Sequence, residues 1–300
     1  MRGVFVATFV LLSSAPAHAQ ELEPRSYSPS PVGTNFFAVA AGHLTGDVLF
    51  DPSLPIEDVH ADIDVLTLGY GRTFSLAHRL GLATIAVPFA QANVDGQVFD
   101  APRAVRRQGL ADVRARVSVQ VLGGKAMAPA EFAHAARRTI VGVSLTMQAP
   151  TGEYDSTKLI NLGTNRWAFK PEVGVSVPVG HWSLDAYAGV WFYTNNTAFF
   201  PGGSVKRQDP LTSLQGHVTY TFKNRAWVAL DGTWYGGGAV TVDENPPAER
   251  FSNSRIGGAL SIPLTKRQSI KLVASTGATA RTGTDFDSYV VGWQLVWFDR

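Results

Sequence analysis

The feature that most constrains this chain is an alternation of apolar and polar residues with a period of two. Residues 112–121, for example, read DVRARVSVQV. Successive side chains of an extended strand point to opposite faces, so this pattern gives one apolar and one polar face. Since no stretch of comparable length has a convincing helical period, the chain is predicted to be all-β. Twelve segments carry the alternation: 35–45, 61–74, 80–92, 109–122, 139–149, 167–178, 182–193, 212–222, 226–236, 253–262, 269–279 and 287–298.

The spacing of these segments predicts a transmembrane antiparallel β-barrel of about twelve strands. The connections alternate between long and short, with one exception at 123–138. Outer-membrane barrels show this pattern, with long loops outside and tight turns in the periplasm. Because twelve is even, both termini are expected on the periplasmic side. The long connections are expected to be external loops at 46–60, 93–108, 150–166, 194–211 and 237–252.

The N-terminus has the features of an export signal. Met1 and Arg2 precede the apolar run 4–12, and a small-residue cleavage site follows at 17–19. A run of nine residues is about 13 Å long as a helix, too short to span a bilayer of roughly 30 Å. We therefore expect a signal peptide over 1–19 cleaved near Ala19, a periplasmic N-terminal segment over 20–34, and the barrel over 35–298. The predicted location is the outer membrane of a double-membraned bacterium.

Composition excludes several functions. The formal net charge is only +2, so no nucleic-acid partner is expected. The absence of Cys rules out disulfides, thiol catalysis and zinc–thiolate sites. His217 and Ser213 form the best candidate pair for hydrolysis, but their separation on one strand is roughly 13 Å. We predict no catalytic residue, no metal, no cofactor and no enzyme activity.

Aromatic residues on the apolar face lie near strand ends, as expected at the two edges of a lipid layer. Trp167, Phe169, Phe192 and Trp234 are expected near the outside, and Tyr220, Phe222 and Trp297 near the periplasm. The last strand, 288–298, resembles the C-terminal signature by which barrel proteins are recognised for insertion. We therefore expect outer-membrane lipid and the barrel-assembly machinery as partners.

The polar faces of the strands predict the lining of the lumen. A twelve-stranded barrel is expected to enclose a narrow pore or a partly plugged lumen. Three aromatic residues of one strand could form a contact track for flat solutes, or could simply fill the lumen. The predicted lining residues are Arg114, Arg116, Lys170, Glu172, Asp185, Tyr187, Trp191, Tyr193, His217, Asp231, Arg255 and Lys271.

From about Gly109 onward the chain resembles the outer-membrane family labelled "putative MetA-pathway of phenol degradation". The resemblance rests on motifs at 109–113, 150–154, 161–167, 236–238 and 282–287, and more loosely at 87–89. It implies passage or binding of small hydrophobic or aromatic compounds. Within these motifs, six residues are turn formers whose role is structural or, alternatively, direct contact with a ligand: Pro150, Thr151, Gly152, Asn161, Gly163 and Asn165.

Two functions remain open at this point. The chain is an outer-membrane channel or facilitator for small, hydrophobic or aromatic molecules, or it is a non-conducting surface barrel that acts through its external loops. An open lumen would favour the first function, and a lumen sealed by inward loops or side chains would favour the second.

Overall fold

The computed structural model describes residues 23–49, 56–98, 101–245, 250–279 and 283–298. The predicted signal peptide lies outside these residues. In chain order the strands are β1 (Thr34–Leu49), β2 (Ile56–Leu76), β3 (Arg79–Val98), β4 (Ala101–Leu110), β5 (Arg114–Leu122), β6 (Ile140–Gln148), β7 (Ala168–Val179), β8 (Trp182–Tyr193), β9 (Asn196–Phe199), β10 (Ser204–Gln208), β11 (Leu211–Thr221), β12 (Trp227–Gly237), β13 (Val240–Val242), β14 (Phe251–Pro263), β15 (Gln268–Thr279) and β16 (Gly283–Phe298). One short helix, α1, covers Pro129–Phe132. Within the described residues, no helix is long and apolar enough to cross a membrane.

Twelve strands close into an antiparallel barrel, which confirms the predicted fold. The order around the barrel is β2-β1-β16-β15-β14-β12-β11-β8-β7-β6-β5-β3, and pairing of β2 with β3 closes the ring. β4 continues the line of β5 and pairs with the far half of β3. A second sheet, β13-β10-β9, is formed by the connections that follow β8 and β12.

The two ends of the barrel differ in their connections. Thr34 pairs with Phe298, so the first and last strands begin and end at the same end of the barrel. We call this the turn end, because short connections join β2 to β3, β7 to β8 and β14 to β15 there. The opposite end, which carries the long connection 149–167 and the β9–β10–β13 sheet, is called the loop end. That the turn end faces the periplasm remains a prediction.

The outer face of the barrel is apolar. On β11 and β12, for example, Leu214, Val218 and Leu230 are exposed, whereas their sequence neighbours are buried inside. A water-soluble protein would not expose such a continuous apolar wall. Aromatic contacts lie near both strand ends: Trp167 stacks on Phe169 at the loop end, and Tyr220 packs against Trp182 and Phe222 at the turn end.

Four neighbouring strands extend further at the loop end than the sequence predicts. The expected loops 46–60 and 93–108 are wrong in their described parts, because β1, β2, β3 and β4 continue through most of them. On β2 the apolar residues change from one face of the strand to the other along its length. Leu66 and Leu68 point outward, but beyond them His60, Asp62 and Asp64 occupy the outer face and the apolar residues point inward. The reversal marks the edge of the lipid-facing belt, since the outer face becomes polar where it meets water.

The long connection at the turn end, 123–138, contains α1. Its backbone bonds the β2–β3 turn, since Ala126 N–H donates to His78 O at 3.0 Å. It also accepts a bond at Met127 O from Val32 N–H at 2.9 Å. This segment therefore anchors the residues that precede β1.

Candidate functional site: the barrel lumen

The structure places all twelve predicted lining residues on the inner face of their strands. Ten of them are buried and two, Arg114 and Tyr193, are half-buried. Whether they contact a passing solute remains a prediction. Sequence parity located these residues because the lipid-facing side of a barrel strand must be apolar, which leaves the polar side for the interior.

Residues 23–33 lie inside the barrel at the turn end, and we call them the plug. Gly33 N–H donates to Thr73 O on β2 at 3.2 Å. At the other end of the plug, Arg25 Nη1 donates to Thr221 Oγ1 on β11 at 3.4 Å. The guanidinium of Arg25 also lies 5.5 Å from the ring centre of Trp227 on β12. The plug thus crosses the lumen from one wall to the other. The sequence gives no periodicity for this segment, so its position was not predictable from pattern.

Tyr27 is the centre of the plug and is only 1% exposed. Its hydroxyl donates to Ser144 Oγ at 3.1 Å or Glu172 Oε1 at 3.2 Å, and its backbone carbonyl accepts from Gln120 Nε2 at 2.8 Å. The Tyr187 ring meets it edge-on at a centroid distance of 5.3 Å. Every one of these partners belongs to the barrel wall, so Tyr27 links the plug to strands β5 to β8.

Two glycines of the wall make room for the Tyr27 ring. A Cβ at Gly142 on β6 or at Gly174 on β7 would overlap the ring directly. The two positions are opposite each other in the register of β6 and β7. Together they form a recess in the inner wall that only glycine permits. The sequence shows these glycines as ordinary members of the polar parity, without a sign of their ring partner.

Charged and aromatic side chains alternate along the inner wall between the plug and the loop end. Arg116 lies 5.0 Å from the Tyr27 ring centre and bonds Glu172 at 3.3 Å. Lys170 bonds the same carboxylate at 3.1 Å and lies 5.3 Å from the Trp191 ring centre. A wall with such contacts can bind flat aromatic rings and also positively charged groups. The contacts continue toward the loop end in Trp191–Tyr193 stacking and in Arg166 over Tyr193.

A second buried group lies across β8, β11 and β12. His217 Nδ1 is 2.7 Å from Asp231 Oδ1, and its ring lies 5.1 Å from that of Tyr187. Ser213, the residue considered for hydrolysis, makes no side-chain hydrogen bond to His217 and lies on the same strand four positions earlier. Within the described part of the chain, no group of His, Asp and Glu residues is arranged to hold a metal ion.

Several polar atoms of the inner wall have no hydrogen-bond partner within the described residues. They include Trp191 Nε1, Ser213 Oγ, Thr219 Oγ1 and both amide atoms of Gln294. Leaving such atoms dry costs about 1–3 kcal/mol each, so buried polar groups are normally satisfied by protein or water. The inner wall is therefore built for contact with water or a polar solute group.

The lumen changes character at the loop end, where an apolar chamber replaces the polar wall. Its wall consists of inward residues of β1, β2, β3 and β16: Leu44, Val59, Ala61, Ile63, Val65, Ala90, Ala92, Val94 and Phe286. The connection between β6 and β7 inserts Leu162, which is 4% exposed, with Ile160 beside it. The sequence prediction assigned the inner face of β2 from its lipid-facing part and therefore missed this chamber. The change of the apolar residues from one face to the other at 65–66 marks its position.

The connection that fills the chamber is tied to the barrel by Asp112, between β4 and β5. Its Oδ1 accepts from Gly152 N–H at 2.9 Å, and its Oδ2 accepts from Thr164 N–H at 3.0 Å. Residues 152–163 therefore form a compact Ω-loop whose ends meet at one buried carboxylate. Five of the six predicted motif residues lie at these ends, and Asn161 lies within the loop: Thr151 Oγ1 accepts from Val113 N–H at 2.9 Å, and Asn165 has a φ of 52°.

Sequence comparison identifies the family. The model of the family described as "Putative MetA-pathway of phenol degradation" matches residues 46–291. The chain belongs to this family. Among curated proteins, none is significantly similar in sequence.

Solved structures share the fold of this family member. An outer membrane channel from Pseudomonas putida superposes with a TM-score of 0.79 at 18% identity, over 92% of this chain and 100% of that one. The transport unit of an Escherichia coli autotransporter gives 0.56 at 10% identity, over 93% of both chains. The β domain of a Bordetella autotransporter gives 0.53 at 11% identity, over 88% of this chain and 100% of that one. These likenesses establish the outer-membrane barrel fold.

Proposed function

We propose that this protein is an outer-membrane facilitator for small apolar or aromatic molecules, closed at rest by its plug. The observation that carries the proposal is the set of unpartnered polar atoms on a wall that also presents aromatic faces. A barrel that acted only through its surface could fill its interior with matched or apolar side chains. This interior instead keeps donors and ring faces such as those of Trp191.

Two further observations support the proposal. The family description refers to phenol degradation, and the fold match with the highest TM-score reported above is to an outer membrane channel. The first supports a small aromatic cargo, and the second supports a channel in the outer membrane. The order of environments along the lumen, from apolar chamber to cation–aromatic wall, suits molecules with a ring and at most one polar group.

The closed state is also compatible with the second function, that of a non-conducting surface barrel. The plug and the Ω-loop occupy the two ends of the lumen, and a permanently sealed lumen is what a non-conducting surface barrel requires. The two functions therefore differ in whether the plug can leave its site. Its contacts with the wall are hydrogen bonds and ring contacts that can be broken one at a time.

Single-channel recording on the refolded mature protein separates the two functions. We expect rare openings in the native protein and frequent openings in Tyr27→Ala, because that change empties the recess in the wall. A small aromatic solute is expected to block the openings, and Trp191→Ala to weaken the block. Tyr220→Ala, which removes a ring from the outer face, is the control. Silence in all variants, despite stable insertion, would establish the surface-barrel function instead.

A further inference from the structure

The apolar chamber at the loop end differs from an ordinary protein core in how it is filled. Its wall belongs to the barrel, but the buried Leu162 and the half-buried Ile160 that pack into it come from the Ω-loop 152–163. Three wall positions, Ala61, Ala90 and Ala92, carry small side chains. Protein interiors reach native density when large and small side chains at facing positions interdigitate, so small wall residues need a large partner. Here the small wall residues leave a space that another segment occupies.

The chamber lies where an incoming molecule would meet it. The outer face of the surrounding strands is polar from Asp64 outward, so this part of the barrel lies beyond the lipid-facing belt. An apolar molecule arriving from the loop end would find this apolar surface before it reached the cation–aromatic wall.

The Ω-loop is built to move as one body. Asn161 holds it together internally, accepting from Asp155 N–H at 2.8 Å and donating to Lys158 O at 2.7 Å. Its two ends converge on Asp112, and Gly152 and Gly163 are in such close backbone contact that neither could carry a Cβ without a shift. Arg107 Nε donates to Ile160 O near the tip at 2.9 Å, and the Tyr154 hydroxyl donates to Ala198 O on β9 at 3.0 Å and accepts from Asn196 Nδ2 at 2.9 Å. Release of the tip requires loss of the chamber contacts and of these bonds, while the hinge at Asp112 can stay intact.

We propose that the chamber is a binding site for a small uncharged apolar molecule, and that Ile160 and Leu162 occupy it as a lid until such a molecule replaces them. The inference rests on the proposed facilitator function, for which it names the first site of contact. The aliphatic side chains now in the chamber show the chemistry that it accepts: uncharged, apolar and about the size of a leucine or isoleucine side chain.

Cysteine labelling tests this exchange, because the native chain contains no Cys. Leu162→Cys in proteoliposomes is treated with a water-soluble charged thiol reagent, with and without toluene. We expect slow labelling at rest and an increase of about tenfold with toluene, since the solute shifts the lid toward its released state. Lys158→Cys, exposed on the same loop, should label fast in both conditions. Leu211→Cys, buried in the neighbouring aromatic cluster, should stay slow.

Three results would overturn the inference: no change at Leu162→Cys, slower labelling with toluene, or an equal increase at Leu211→Cys. If Leu162→Cys does not fold, hydrogen exchange of residues 153–163 in the native protein replaces the labelling. Faster exchange with toluene then supports the lid, and unchanged exchange refutes it. Solute flux is measured in the same vesicles. Solute flux without a response of the lid would refute the proposed binding site but not the facilitator function. A response of the lid without solute flux would refute the facilitator function but not the binding site.

Discussion

Removing the Tyr27 side chain tests whether the plug is held mainly through the recess in the wall. The ring is 1% exposed and its hydroxyl contacts Ser144 and Glu172. Truncating a buried aromatic residue to alanine costs about 3–5 kcal/mol when the site does not collapse. The wall glycines Gly142 and Gly174 cannot fill the space, so the full cost is expected. A tenfold change in an equilibrium corresponds to about 1.4 kcal/mol, so Tyr27→Ala should raise the ratio of open to closed plug by about 10²–10³ or more.

The assay is the open probability of single channels in a planar bilayer, which reports the ratio directly. The barrel itself should remain folded, because its strand pairing does not involve Tyr27. Resistance of the folded band to SDS on an unheated gel checks this point. Tyr220→Ala provides the matched loss of a tyrosine from the outer face. An open probability for Tyr27→Ala equal to that of Tyr220→Ala, with both barrels intact, would refute the idea that this recess holds the plug.

Three further perturbations have expected outcomes. Gly142→Ala should raise the open probability by crowding the Tyr27 ring, whereas Gly216→Ala, which meets open space, should leave it unchanged in the same recordings. Asp112→Ala removes the acceptor for both ends of the Ω-loop and should speed hydrogen exchange of the Gly152 and Thr164 amides by about tenfold or more, as loss of bonds to a charged group costs roughly 1.5–3 kcal/mol; unchanged exchange rates would contradict the anchoring role. The hydrogen bond from Lys158 holds the pKa of Asp155 well below its ordinary value, so its stabilisation of the loop is present above about pH 4 and is lost as pH falls through the lowered pKa. Hydrogen-exchange protection of residues 153–163, corrected for intrinsic rates, should therefore fall at low pH, and Asp155→Asn should abolish that dependence.

The barrel and its inner face could be predicted from sequence because lipid imposes one rule on every strand. Any side chain that faces lipid must be apolar, so parity alone assigned residues such as Arg116 and His217 to the interior, where the structure places them. The plug obeys no such local rule. Tyr27 is positioned by two glycines more than a hundred residues away in sequence, and only the closed register of β6 and β7 brings them together.

The loop-end chamber shows that the apolar residues of a strand change from the outer to the inner face at the edge of the membrane. Within the belt, an apolar residue such as Leu66 points outward because lipid is the apolar phase. Beyond the belt, water lies outside, so Ile63 and Val65 must point inward and need an apolar partner there. A barrel extended past the lipid thus acquires an apolar interior as a direct consequence of its surroundings. The chain supplies the partner from a hinged loop and not from the wall itself, and this choice makes the chamber available to a molecule that can compete with Leu162.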